Sequence, residues 1–138
     1  MIEQSLFLIK PNAVSSRHVG HIITMLEEHD FAIRQMKLFR FDQELARRFY
    51  QEHLEKEFYP RLESFMCSGN TVALLLEKEH AIHELRELMG EVEPEKRKPG
   101  TIRALYGNGV TDNGAHASDS AASAIREIGI IFPEEYSK

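Results

Sequence analysis

Apolar residues occur along the chain in short continuous runs and in stripes at helical spacing. The runs from Ser5 to Ile9 and from Thr71 to Leu76 are rich in strand formers and predict two buried strands. Residues 31–41 begin with apolar side chains at alternate positions and predict another strand between them. Apolar side chains three and four positions apart over residues 18–29 and 80–89 predict two amphipathic helices.

The segment that follows the strand at 31–41 predicts a helical hairpin. Asp42 is a residue type that favours the N-cap position, and a helix is expected from there through Tyr50. After a polar break, Phe58 begins a second short helix that runs through Met66, and residues 68–70 form a turn. The predicted order up to this point is strand, helix, strand, helical hairpin.

The region after residue 89 is polar and rich in turn signals. Gly90 is expected to end the preceding helix. Residues 90–100 carry many charges and two prolines, which predicts a loop. Loops of this length are often functional, and the alternative is a mobile surface loop without a function. Residues 101–106 predict a single helical turn.

A final helix is predicted over residues 120–128, with the N-cap types Ser118 and Asp119 just before it. A short fourth strand near His116 would complete the order βαββαβ. This order predicts an α+β protein of the ferredoxin-like class, with an antiparallel four-stranded sheet covered by helices, which we expect on one face. No repeat, low-complexity run or linker divides the chain, so we expect one domain over residues 1–138.

Composition and charge narrow the class of protein. With 138 residues, 42% hydrophobic and 28% charged, the chain is expected to fold around one packed core. The formal net charge of −5 argues against dedicated nucleic-acid binding, although 17 Lys and Arg leave room for a local cationic pocket. No apolar run has the length of a membrane span and the first residues do not resemble a signal peptide, so we expect no membrane association. The single cysteine excludes an intrachain disulfide and fits a reducing compartment, and a cytoplasmic location is expected.

Candidate chemistry centres on His116, which lies among very small residues that would leave its imidazole accessible. The helix expected just after it would favour a nearby anion, so His116 is a candidate nucleophile for phosphate chemistry. The alternative is an ordinary loop or capping histidine. Lys10, at the exit of a buried strand, suits an anion site or is simply a solvated charge. His18 and His21 have metal-ligand spacing, but no third ligand accompanies them.

Four motifs occur in an order that resembles the nucleoside diphosphate kinase family, of the bacterial type with a short C-terminal end. The motifs are Lys10-Pro11-Asn12, Ser68-Gly69, Pro99-Gly100-Thr101-Ile102-Arg103 and Asn113-Gly114-Ala115-His116-Ala117-Ser118-Asp119-Ser120. The resemblance covers nearly the whole chain. It implies a ferredoxin-like fold that transfers the terminal phosphoryl group of a nucleoside triphosphate, typically ATP, to a nucleoside diphosphate. It also implies a ping-pong route through a phosphohistidine, little base selectivity, and a role in maintaining NTP and dNTP pools.

The resemblance further implies a set of site residues, a cofactor and an assembly. His116 would be phosphorylated at the pros nitrogen, with Ser118 and Glu127 supporting it. The residues implied to contact the nucleotide are Lys10, Tyr50, Phe58, Arg86, Arg103 and Asn113, of which Phe58 would stack on the base. Mg²⁺ would be bound by the nucleotide phosphates without a direct protein ligand. The family implies a homo-oligomer, a tetramer or a hexamer built from dimers.

Three positions depart from the family pattern. Ala117 stands where the family usually has glycine, and a positive φ there would disfavour alanine. Val92 stands where the family usually has a threonine that contacts phosphate. Glu57 stands where proline is frequent, just before Phe58, which puts the local backbone and the stacking geometry in question.

The residue types suit the implied chemistry. Around neutral pH a large share of imidazole groups is neutral, with a lone pair that can attack phosphorus. A carboxylate on the other ring nitrogen, here expected to be Glu127, would fix the tautomer and stabilise the cationic ring. Lys10, Arg86 and Arg103 supply the cations that phosphoryl transfer requires. The rival hypothesis is a ferredoxin-like binding module that senses nucleotides without catalysis.

Overall fold

The structure is a computed structural model that describes residues 1–135, so the last three positions of the expected 1–138 domain lie outside the described residues. Strands occur at four places in it: β1, Ile2–Ile9; β2, Ala32–Arg40; β3, Asn70–Glu79; and β4, Ala115–Ala117. They form one sheet in the order β2-β3-β1-β4, and every neighbouring pair is antiparallel. The α+β class and the antiparallel four-stranded sheet are therefore confirmed.

Helices fill the connections between these strands. Along residues 1–135 they are α1, Pro11–Ser15; α2, Val19–Glu28; α3, Gln43–Phe49; α4, Tyr59–Met66; α5, Ala81–Met89; α6, Ile102–Tyr106; and α7, Ala121–Ile131. Short 3₁₀ turns occur at Gln51–His53, Pro94–Lys96 and Pro133–Glu135. None of the helices in this part of the chain is long and apolar enough to cross a membrane.

Local signals explain most of the boundaries. The Asp42 side chain accepts a 2.7 Å hydrogen bond from the backbone N–H of Leu45, so Asp42 is the N-cap of α3 as predicted. Gly90 ends α5 with a φ of 92°, which a residue with a side chain rarely adopts. The sequence analysis missed α1, although Pro11 at its first position is a common helix start.

The sheet is covered on both faces, so the expectation of helices on one face was wrong. Side chains of β1 and β3 alternate between two apolar clusters. One cluster includes Phe7 and Leu74 and packs against α2 and α5, and the other includes Leu8 and Leu75 and packs against α3, α4 and α7. The second layer forms because the helical hairpin inserted between β2 and β3, together with α7, has its own apolar stripe to bury.

The candidate residues lie where β1 and β4 meet. His116 is the central residue of β4 and is paired with Leu8 of β1. The backbone N–H of Lys10, just past the end of β1, donates a 2.9 Å hydrogen bond to the carbonyl of Gly114. The pairing of two strands thus brings the N-terminal Lys10 motif beside the His116 motif, more than 100 residues later in the chain.

Candidate active site

The His116 ring is held by a carboxylate and by aromatic neighbours. Its Nε2 atom lies 2.9 Å from Oε1 of Glu127, and the Phe49 ring lies edge-on at 5.2 Å between centroids. The His116 side chain keeps 20% of its surface exposed. Because Nε2 is occupied by the carboxylate, Nδ1 is the ring nitrogen left without a hydrogen bond among residues 1–135, and it retains its lone pair when Nε2 carries the proton.

Glu127 is buried and anchored from a second side. Its Oε1 also accepts a 2.8 Å hydrogen bond from the hydroxyl of Ser118, and only 5% of the residue is exposed. Burial alone would raise the pKa of Glu127. The adjacent His116, the hydrogen bonds from His116 and Ser118, and the charge of Arg126 together hold that pKa below its ordinary value. The carboxylate is therefore ionised at neutral pH and suited to stabilise a cationic ring.

The start of the last helix differs from the prediction. Ser120, rather than Ser118 or Asp119, is the N-cap of α7, and its hydroxyl accepts from the backbone N–H of Ser123 at 3.1 Å. Ser118 instead continues the extended chain, where its backbone N–H donates to the carbonyl of Leu6. Ser118 is fully buried. Its side chain is thereby free to bind Glu127 rather than to cap a helix.

A cavity of about 320 Å³ opens beside the imidazole. Its wall includes His116, Glu127, Tyr50, Arg86, Arg103 and Val92. A second cavity of about 570 Å³ adjoins it and shares Arg86, Arg103 and Val92, but His116 does not line it. The smaller cavity is the candidate active site because it contains the nucleophile candidate together with three arginines, Arg86, Arg103 and Arg126.

The two arginines bind the backbone on either side of His116. Nη2 of Arg103 donates to the carbonyl of Ala115 at 2.9 Å, and Nη1 of Arg86 lies 3.4 Å from the carbonyl of Ala117. Arg103 is 6% exposed, and burial followed by the charges of Arg86 and Arg97 lowers its pKa to about 10. The guanidinium thus stays charged at neutral pH. Its Nε atom has no hydrogen-bond partner among the described residues.

Lys10 and Asn113 are brought next to each other but are not lining residues of the His116 cavity. Lys10 is 5% exposed, and burial first, then the charge of Arg103, lowers its pKa to about 7 while Asp112 opposes the shift. The Asn113 amide donates to the carbonyl of Val110 at 2.8 Å, and its buried Oδ1 has no partner in residues 1–135. A buried oxygen without a donor suits a ligand hydroxyl.

The two aromatic candidates have different surroundings. Tyr50 lines the cavity and its buried hydroxyl has no partner among residues 1–135. Burial first, then Glu127, raises the pKa of Tyr50, so it stays protonated and able to donate. Phe58 is 48% exposed and is not among the lining residues, but its ring lies 5.6 Å from that of His53, which lines the cavity. Phe58 therefore lies outside the cavity lining, next to the ring of His53.

The departures from the family pattern have clear structural settings. Ala117 is buried in β4 and paired with Phe7, and it is not among the residues of the described chain with positive φ, so its methyl group causes no backbone strain. Val92 lines both cavities. Glu57 is exposed, and Phe58 after it still precedes α4 with a helical φ of −78°.

Several residues that line the cavity were not predicted from the sequence, among them His53 and Arg126. Arg126 donates to the carbonyl of Phe49 at 3.1 Å and lies 3.7 Å from Oε2 of Glu127. Its place beside Glu127 in the sequence was the available signal. His53 gave none, because its ring reaches the cavity only through the 3₁₀ turn at Gln51–His53.

Known proteins are similar to this chain over nearly its whole length. The sequence profile of the family described as "Nucleoside diphosphate kinase" matches residues 3–136. A nucleoside diphosphate kinase of Actinobacillus pleuropneumoniae is 48% identical over 132 residues, which is 96% of each chain.

Solved structures are similar to the chain as well. A crystal structure of the Aquifex aeolicus nucleoside diphosphate kinase has a TM-score of 0.93 and 40% identity, and the match covers 96% of both chains. The Halobacterium salinarum nucleoside diphosphate kinase in complex with CDP has a TM-score of 0.93 and 35% identity, over 98% of this chain and 90% of that one.

Proposed function

The chain belongs to the nucleoside diphosphate kinase family, and from this premise we propose that His116 carries the phosphoryl group during transfer. The family transfers phosphoryl groups between nucleoside triphosphates and diphosphates, and the chain is a phosphotransferase of this kind. The observation that carries the assignment of His116 is its Nε2–Glu127 bond, which leaves Nδ1 as the ring nitrogen with a lone pair.

The reaction proceeds in two half-reactions. In the first, Nδ1 of His116 attacks the terminal phosphorus of a nucleoside triphosphate, the bond to the bridging oxygen breaks, and the nucleoside diphosphate leaves with those electrons. In the second, a terminal phosphate oxygen of another diphosphate attacks the same phosphorus and the N–P bond breaks. Glu127 stabilises the cationic ring in both, because it is buried, ionised and 2.9 Å from Nε2. Ser118 orients Glu127 through its 2.8 Å bond.

Cations around the cavity stabilise the phosphate charge. Arg86 and Arg103 line it, and each already uses one arm on the backbone next to His116, which fixes its direction. Lys10 adds a charge that is present below its pKa of about 7 and restored above it by an anion. Preorganised donors of this kind supply most of the catalysis in phosphoryl transfer.

The rest of the nucleotide would contact residues around this centre. Tyr50 donates its hydroxyl to a phosphate, and Asn113 accepts from a sugar hydroxyl through its unpartnered Oδ1. Phe58 offers an exposed ring on which a base stacks, and such stacking is tolerant of base identity because every base has a π face. Little base selectivity follows.

Kinases of this family generally require a divalent metal, and Mg²⁺ is the ion proposed here. Among residues 1–135 no group of three or more His, Cys, Asp or Glu side chains could hold a metal ion. We propose that the nucleotide phosphates hold the ion, because Mg²⁺ keeps much of its water and needs few protein ligands. When bound there, it would neutralise part of the phosphate charge.

The proposal includes a homo-oligomer, a tetramer or a hexamer built from dimers. It is supported by β2, the edge strand of the sheet, on which Met36 is 62% and Leu38 is 63% exposed. An exposed edge with apolar side chains favours pairing with a second copy of the chain. A cytoplasmic location and a role in NTP and dNTP pools belong to the same proposal, and the free Cys67 is in keeping with a reducing compartment.

Labelling with γ-³²P-ATP tests the central assignment. The wild-type protein is expected to acquire acid-labile, alkali-stable label and to pass it to added nucleoside diphosphate. His116→Ala is expected to abolish both, because no other residue in this mechanism forms the covalent bond. The matched control is His53→Ala, which removes the other histidine of the cavity and should still acquire label. Label retained by His116→Ala would refute the assignment.

A further inference from the structure

Arg97 joins two loops next to the candidate site through backbone contacts alone. Its Nη2 donates to the carbonyl of Val92 at 2.7 Å and to that of Gly109 at 2.8 Å. Its Nε donates to the carbonyl of Glu91 at 3.0 Å, and Nη1 lies 3.5 Å from the carbonyl of Arg103. One guanidinium thus contacts residues 91 and 92 on one loop and residue 109 on another.

Both loops carry residues of the candidate site. Val92 lines the cavity beside His116, and its own carbonyl is one of the acceptors. Gly109 precedes Val110, whose carbonyl receives the amide of Asn113. The segment at Gly90 is held from the other side by Nη1 of Arg103 at 3.1 Å. Arg97 itself lines neither cavity, so any effect it has on the site acts through these neighbours.

The contact set is specific to a guanidinium. Arginine presents several N–H donors in a fixed planar fork, whereas lysine has one compact ammonium group on a flexible stem. The guanidinium of Arg97 keeps these contacts although its positive charge opposes that of Arg103, whose pKa is lowered by burial first and then by the charges of Arg86 and Arg97. Space for it is left at Gly107, where a Cβ atom would come within 2.9 Å of Nη1 of Arg97 and 2.6 Å of the carbonyl of Arg103.

We propose that Arg97 is a positioning residue that fastens residues 91–92 to residue 109 and so preorganises the cavity wall for the nucleotide phosphates. The proposal rests on the proposed function for its ligand class. Without the guanidinium of Arg97, the two loops would be separated in some of the molecules. The nucleotide would bind only the fraction of molecules in which the loops remain together. Apparent affinity would fall by that fraction, while the chemical step of the bound complex would change little.

The test compares ADP binding by calorimetry with phosphoenzyme formation at saturating ATP, for the wild type, Arg97→Ala and Arg97→Lys. We expect Arg97→Ala to weaken ADP binding at least fivefold, with the maximal rate of phosphoenzyme formation within twofold. Arg97→Lys should lose nearly as much affinity, because it keeps the charge and loses the fork. The control is Arg48→Ala, which removes an exposed arginine of α3 that lines neither cavity.

Two results would overturn the proposal. ADP affinity of Arg97→Ala within twofold of the wild type would make the contacts irrelevant to binding, and full affinity in Arg97→Lys would show that charge alone acts. Should Arg97→Ala not fold, the affinity of Arg97→Lys decides between the same outcomes. Failure of the proposed function is separate, since it would appear as wild-type protein that binds ADP but forms no phosphohistidine.

Discussion

At the scale of single residues, the site contains buried ionisable groups. Burial and neighbouring groups shift the pKa values of these side chains away from their values in water. Glu127 remains ionised in spite of burial because His116, Ser118 and Arg126 surround it. Among residues 1–135 Lys10 has no comparable set of partners, so burial and then the charge of Arg103 lower its pKa to about 7. The cavity is therefore lined by Glu127, whose charge is constant around neutral pH, while Lys10 outside its lining has a charge that varies with pH.

Lys10 makes nucleotide binding dependent on pH. An anion stabilises charged Lys10, so ADP binding near pH 8 should take up a proton and affinity should fall as pH rises from about 7 to 9. Without ligand, the contribution of Lys10 to the pH dependence of folding stability has the opposite sign. Unfolded lysine keeps its proton up to about 10.5 while folded Lys10 loses it near 7, so Lys10 makes the folded state more stable as pH rises through that window. Calorimetry in two buffers of different ionisation enthalpy measures the uptake, and Lys10→Gln should remove it.

Arg103 is expected to contribute to the transition state rather than only to binding. Arg103→Ala should lower kcat/KM by a factor equivalent to about 2–3 kcal/mol, the loss typical of one preorganised donor. Steady-state kinetics with ATP and a diphosphate measure it. A thermal melt controls for unfolding, because the substitution also removes the hydrogen bonds that Arg103 donates to the carbonyls of Gly90 and Ala115. An unchanged kcat/KM would mean that the guanidinium only supports the backbone.

From the sequence, motifs predicted which side chains would be neighbours in the site, whereas residues placed by distant contacts were not predicted; the catalytic roles stay a prediction. The block around His116 and the position of Glu127 pointed to a bonded pair, and the structure contains that pair. Arg97 and His53 gave no such signal. Their contacts with the site region form only because a loop or a 3₁₀ turn places their side chains next to residues far away in the chain.

At the scale of elements, α7 carries Glu127, and the hydroxyl of Ser120 caps the N-terminus of this helix. Ser120→Ala removes the acceptor for the backbone N–H of Ser123 and should lower the free energy of unfolding by about 1 kcal/mol. Thermal or urea unfolding measures it. Ser64→Ala, an exposed serine inside α4, should be neutral or slightly stabilising. An equal loss in both variants would show that capping is not the cause.

The predicted elements matched well where their own apolar pattern defined them, as in β1, β3 and α5. The start of α7 was misplaced because three serine or aspartate residues in a row are all good caps. Only the tertiary bond of Ser118 to β1 decides among them. The second helical layer was missed because an apolar stripe shows that a helix is buried and not which face of a sheet it covers.

At the scale of the whole molecule, the edge strand β2, which pairs only with β3 among residues 1–135, predicts assembly. Light scattering should give the wild type a mass well above the 15.9 kDa of one chain. Leu38→Lys, which places a charge on the exposed edge, should shift the protein toward smaller species. Ile125→Lys alters a side chain of α7 that is 63% exposed, like Leu38, and should leave the mass unchanged. A monomeric wild type would refute the oligomer.

The short β4 has a consequence for how the protein loses activity. His116 sits in a strand of three residues at the opposite edge of the sheet, whereas β1 and β3 share eight paired positions in its centre. Local opening of so short a strand requires far less free energy than unfolding the centre. Amide protons of residues 115–117 would then exchange with solvent sooner than those of β1 and β3. Inactivation by heat would report the opening of this strand, at a temperature below that at which the sheet melts.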